Sequence, residues 1–237
     1  MIKSLNYQEF KNLLDESKRK SDPIFCRFIL RPLSFPVGWL FYKSGIKANT
    51  ISLLSIVITL IASFLIIVAN RDGLILASSL MLFVALTDCI DGNIARARNE
   101  TGPSGEWMDA LSGYTVYALI PVVLGLHLNY LNSPDFFPGF WILVGSITVI
   151  SNLYLRLIYQ KFINGGFDSN SDQAIKGNGS LFSRLSAEVG LVGWMMPTLF
   201  AASLLDLLPI YLLFYCFFYF LSALAVFYIL LSKVNPF

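Results

Sequence analysis

Six long apolar stretches dominate this chain: 49–70, 73–97, 104–130, 136–162, 181–205 and 208–231. A helix needs about 20 apolar residues to cross the hydrocarbon layer of a bilayer, and each stretch meets that length. In lipid a backbone must satisfy its own hydrogen bonds, so runs of this length predict helices. Composition agrees, since 56% of the 237 residues are hydrophobic and only 14% are charged. Soluble domains carry about 25% charged residues. The expected fold is an all-α integral membrane protein with six transmembrane helices over 49–237. The region before it, 1–48, is expected to be cytosolic and interfacial. Turn residues mark the breaks: Arg71-Asp72-Gly73, Asn132-Ser133-Pro134-Asp135, and Asn164-Gly165-Gly166, which opens a polar stretch to Ser180.

The placement of charge predicts an orientation. With the N-terminus in the cytosol, every Lys and Arg except Arg71 falls on the cytosolic side of the six spans. Both termini are then cytosolic. The net charge of +2 gives no argument for a nucleic acid partner. Over 23–46, apolar residues such as Phe25, Phe28, Trp39 and Phe41 alternate with Arg27, Arg31 and Lys43. That pattern predicts amphipathic helix in the membrane interface, with its cations toward lipid headgroups. Cys26, Cys89 and Cys216 are far apart in sequence, show no metal-ligand spacing, and read as small apolar packers.

The second apolar stretch ends in a polar sequence, Asp88-Cys89-Ile90-Asp91-Gly92-Asn93-Ile94-Ala95-Arg96. Three residues apart on a helix, Asp88 and Asp91 share a face. Gly92 and Ala95 on or beside that face allow a ligand or another helix to approach the backbone. Arg96 lies two turns beyond Asp88, where its guanidinium could grip a phosphate. After a short loop come Gly105 and Asp109, one turn into the third helix. Three carboxylates at membrane depth cost several kcal/mol unless a cation offsets their charge. Their hard oxygens suit Mg2+ or Mn2+, and also Ca2+. A transporter could bury acids in the same way, although no internal repeat is visible.

These residues resemble the signature of the CDP-alcohol phosphotransferase family, D-x2-D-G-x2-A-R-x8-G-x3-D-x3-D. Asp88, Asp91, Gly92, Ala95, Arg96, Gly105 and Asp109 match it with every gap conserved in length. Lys47-Ala48-Asn49-Thr50-Ile51-Ser52 is similar to the family's lead-in to its first span, with Ala48 where proline is commoner. Asn49 reads as that helix's N-cap. The resemblance implies transfer of a substituted phosphoryl group from a CDP-linked donor, often CDP-diacylglycerol, to an alcohol, with release of CMP. It implies Asp88, Asp91 and Asp109 as metal ligands, and Asn49, Gly92, Ala95, Arg96 and Gly105 around the nucleotide. It also implies a homodimer.

The last aspartate of the signature falls on Gly113. In the family that residue is the base on the attacking hydroxyl, and glycine cannot serve. Either the acceptor needs no base, or another carboxylate acts, Glu188 before Glu106, or the chain binds the donor without turnover. On the acceptor side, Arg156 and Arg184 lie near the cytosolic ends of the fourth and fifth stretches. They could hold a polar or phosphorylated acceptor, or simply snorkel.

Overall fold

The computed structural model describes residues 5–68, 70–132, 137–164 and 187–234. Among them every regular element is helical. An N-terminal arm comprises α1 (Tyr7–Asn12), α2 (Glu16–Ser21), and a π-helical turn (Cys26–Leu30) that runs into α3 (Arg31–Lys43). Long helices follow: α4 (Ala48–Val68), α5 (Arg71–Arg98), α6 (Pro103–Asn132) and α7 (Phe140–Asn164). A second π turn (Leu191–Met195) leads into α8 (Met196–Leu204), and α9 (Leu208–Val234) completes the chain.

Five of these helices, α4 to α7 and α9, are long and apolar enough to cross a membrane. They fit an integral membrane protein. On α4 the outer face exposes Leu53, Val57, Leu60, Ile61, Phe64 and Ile67, which water would not tolerate as a continuous stripe. Its inner face presents Ser52, Ser55, Thr59, Ala62 and Ser63 to α5 and α6, small residues that let helices approach closely. The fifth apolar stretch is shorter than expected among the described residues. Its helix is a five-residue π turn plus nine α residues, about 20 Å long against about 30 Å of hydrocarbon. A break falls inside its π turn at Gly193, whose backbone is not helical (φ −85°, ψ −126°). A Cβ there would lie 2.1 Å from the Glu188 carbonyl oxygen, so only glycine fits.

Packing runs from α4 onto α5 and α6, from α6 to α7, and from α7 to α9, with α8 against α5. The closest approach joins α6 and α7 at Gly125 and Gly145. A Cβ on Gly125 would sit 2.5 Å from the Trp141 carbonyl oxygen, and one on Gly145 2.4 Å from that of Pro121.

The N-terminal arm is docked on the bundle through α3 and α5, not merely appended to it. Asn93 Nδ2 donates to Ser34 Oγ (3.0 Å), and Arg98 Nη2 to the Tyr42 carbonyl (3.1 Å). Cys26 and Cys89, distant in sequence, meet sulfur to sulfur at 3.5 Å, both buried. Among the arm's cations, Arg31 departs from the headgroup expectation. Arg31 is buried, with Nε 2.7 Å from Asp22 Oδ2 and Nη2 3.2 Å from Oδ1. Arg27 donates to the Arg19 carbonyl (2.9 Å) and to that of Lys20, closing the last turn of α2. Lys43 lies 4.1 Å from the centre of the Trp39 ring. The reason is that the end of α2 offers Asp22 and open carbonyls, which satisfy a guanidinium better than one-sided solvent does.

Candidate functional site

At 1.5 Å per residue, Asp88 lies about 26 Å from the start of α5, near the far edge of a hydrocarbon layer. Beyond it α5 continues to Arg98 and ends on Asn99, whose positive φ of 54° turns the chain back toward α6. That hairpin brings the ends of two long helices together beside α4 and the arm. Between them is a cavity of about 310 Å³.

Asp88, Asp91, Gly92, Ala95 and Arg96 of α5, Gly105, Glu106 and Asp109 of α6, and Asn49 of α4 all line it. Asn49 is the second residue of α4 and not its cap, because the helix already begins at Ala48. Asp91 is buried and accepts from Ser52 Oγ at 2.7 Å, so α4 fixes its rotamer. Arg96 donates Nη2 to Asn93 Oδ1 at 2.8 Å, while its buried Nε has no partner. Four residues after Asp109, Gly113 has no heavy atom within 4 Å of where a Cβ would be. Its neighbour Ser112 is hydrogen-bonded to Ser55 of α4.

Several lining residues were not visible as such in the sequence. Lys18 of α2, Arg31 of α3 and Ser52 of α4 all reach the cavity. Ser52 carried a signal, being part of the lead-in that resembles the family's, but Lys18 and Arg31 carried none.

Two other candidates, Glu188 and Arg156, lie elsewhere. Glu188 is absent from the cavity lining; its carboxylate accepts the Ile24 N–H at 3.0 and 3.1 Å. It therefore caps the start of the helix that runs into α3, a use that a free backbone N–H at a helix start commands. Arg156 packs over the Tyr117 ring, 3.7 Å from its centre, and donates Nε to Asn152 Oδ1 at 2.8 Å. Tyr117 is itself held by the Leu191 N–H at 2.7 Å. Arg156 of α7 thus sits beside Tyr117, which lies two turns beyond Asp109 on α6, and it does not line the aspartate cavity. Arg184 lies outside the described residues.

The donor set suits a divalent cation in chemistry and place: three carboxylates from two helices, beside an open cavity. Among the described residues no group of three acidic, histidine or cysteine side chains closes round an ion unaided. Mg2+ is commonly held by one or two carboxylates with waters and substrate phosphates, so an open set of this kind is compatible with it.

A family model, CDP-alcohol phosphatidyltransferase, matches residues 46–172, just over half of the chain. A search of curated proteins finds no significant match. The matched stretch contains α4, α5 and α6 and with them every aspartate of the cavity.

Proposed function

Because this chain belongs to the CDP-alcohol phosphatidyltransferase family, we propose that it transfers a substituted phosphoryl group from a CDP-linked donor, CDP-diacylglycerol foremost, to an alcohol or phosphorylated acceptor. The observation that carries this reading is the convergence of Asp88, Asp91 and Asp109 with Gly92, Ala95, Arg96 and Gly105 on one cavity. The acceptor oxygen attacks the phosphorus that bears the donor's alcohol, the bridging P–O bond breaks, and CMP leaves. A divalent ion, Mg2+ or Mn2+, would when bound polarise the diphosphate and offset charge on the departing CMP. Asp88, Asp91 and Asp109 would hold it, with Asp91 oriented by Ser52. Gly92 and Ala95 leave room for the nucleotide against the backbone of α5. Arg96 lines the cavity and would meet phosphate through its guanidinium.

Gly113 cannot take the proton from the acceptor. Of the two alternative carboxylates, Glu106 lines the cavity and Glu188 does not, which supports Glu106 as the base. The open space at Gly113 supports an acceptor bulkier there than one facing an aspartate would be. A sixth span made with residues 181–205, an interfacial arm, a cytosolic site and a homodimer complete the proposal; charge placement supports the first three. The test is release of CMP from labelled CDP-diacylglycerol by purified protein with Mg2+ or Mn2+ and a panel of alcohols and phosphorylated alcohols. Metal-dependent CMP release with at least one acceptor is expected. Metal-dependent donor binding without release from any acceptor would instead support a donor-binding protein that does not turn over.

A further inference from the structure

The aspartate cavity has a second, cationic wall, and its exposed member comes from outside the family-matched residues. Three cations line the cavity: Lys18, Arg31 and Arg96. Arg31 is committed to Asp22 through two hydrogen bonds. Arg96 has one bond to Asn93 and a buried Nε. Lys18 differs from both. Its side chain is 58% exposed, and its ammonium stands 4.0 Å from Asp22 Oδ1, beyond hydrogen-bond length, so its donors are available.

The position of Lys18 is built rather than incidental. Asp22 closes α2 and is itself 4% exposed at the side chain, clamped by Arg31 of α3. Arg27 ties down the carbonyls of Arg19 and Lys20 on the turn after Lys18. Glu188 caps the start of the helix that carries both arginines. These contacts hold a short helix, α2, where its Lys18 lines the same cavity as the carboxylates of α5 and α6. Five carboxylates line the cavity, Asp88, Asp91, Glu100, Glu106 and Asp109, so Lys18 both offsets an acidic wall and leaves ammonium donors free for an anion that enters with its cation. A diphosphate spanning from the carboxylate wall to an ammonium meets both halves of this arrangement.

We propose that Lys18 is a phosphate-binding residue of the site, donating to a non-bridging oxygen of the donor's diphosphate. The N-terminal arm is then a working part of the transferase. This rests on the donor reading above, and its experiment separates the two. A phosphorylated acceptor offers the same oxyanion chemistry, so the measurement includes both sources.

Full-length protein in nanodiscs with Mn2+ would be titrated with CDP, cytidine and glycerol phosphate, for wild type, Lys18→Ala and Lys18→Arg. Loss of one charge-assisted contact at a partly exposed site predicts CDP binding weaker by roughly 5- to 20-fold in Lys18→Ala. Lys18→Arg should restore most of it, and cytidine binding should be unchanged in all three. Equal CDP affinity in Lys18→Ala and wild type would overturn the proposal. So would a loss confined to glycerol phosphate, which would move the residue to the acceptor. A wild type that binds no CDP would overturn the donor reading, and this assignment with it. Lys18 packs too little for its removal to unfold the chain, and coincident melting of the three proteins checks that.

Discussion

Substituting Gly145 by alanine tests the tightest contact in the bundle, the one that fixes α7 against the helix carrying Asp109. Two effects oppose each other. Alanine favours helix over glycine by about 1 kcal/mol. Against this, the new Cβ would lie 2.4 Å from the Pro121 carbonyl oxygen and 3.2 Å from its carbon, about 1 Å inside ordinary contact. The obstacle is backbone, so it cannot rotate away, and the helices must separate along their seam. Overpacking of this kind costs about 1–3 kcal/mol, and separation also loosens contacts on both sides of the glycine. The clash should win, leaving Gly145→Ala less stable by about 1–2 kcal/mol. Gly125→Ala meets the Trp141 carbonyl at 2.5 Å and should behave alike. The double variant should cost less than the sum, because the second methyl enters a gap the first has opened. Reversible unfolding of purified protein in bicelles, followed by steric trapping, reads these differences. A Gly145→Ala protein as stable as wild type, or additive costs in the pair, would show that α6 and α7 do not meet at these glycines.

Two further comparisons address the missing aspartate. Glu106→Gln should lower turnover by about 100-fold or more with little change in donor affinity, whereas Glu188→Gln should mainly loosen the arm, seen as faster proteolysis before Ile24; the reverse pattern would return Glu188 to the chemistry. Gly113→Asp has space for its side chain and should fold normally. It should raise CMP release with a neutral alcohol at least tenfold and lower it with a phosphorylated one, since the added carboxylate takes a proton but repels an anion. Identical rates with both acceptors would place residue 113 away from the acceptor.

The membrane-crossing helices could be read from composition because lipid imposes one rule on every residue of a span, and α4, α5, α6, α7 and α9 obey it throughout. In the fifth stretch apolar content did not reveal the backbone geometry: Gly193 departs from helical φ/ψ where a side chain would strike the Glu188 carbonyl. The aspartate motif was legible because Asp88, Asp91 and Asp109 are placed by local helix periodicity and one short turn. Partnerships across long separations were not. The Arg31–Asp22 pair, the cap that Glu188 gives to Ile24, and the seat of Lys18 on the cavity all depend on how the arm docks. An arginine in an amphipathic pattern carries the same sequence signal whether it meets lipid or a buried carboxylate.

The central claim is that the aspartates form a metal-dependent diphosphate site. It is tested most directly by measuring labelled CDP-diacylglycerol binding and CMP release against Mn2+ concentration, in wild type and in Asp91→Asn. Asp91 is the buried member, set by Ser52, and the asparagine keeps its size while removing the charge. The account predicts that wild-type donor binding rises with Mn2+ and is lost on chelation, and that Asp91→Asn folds but binds the donor at least tenfold more weakly and releases no detectable CMP. Donor binding indifferent to both Mn2+ and the substitution would contradict it.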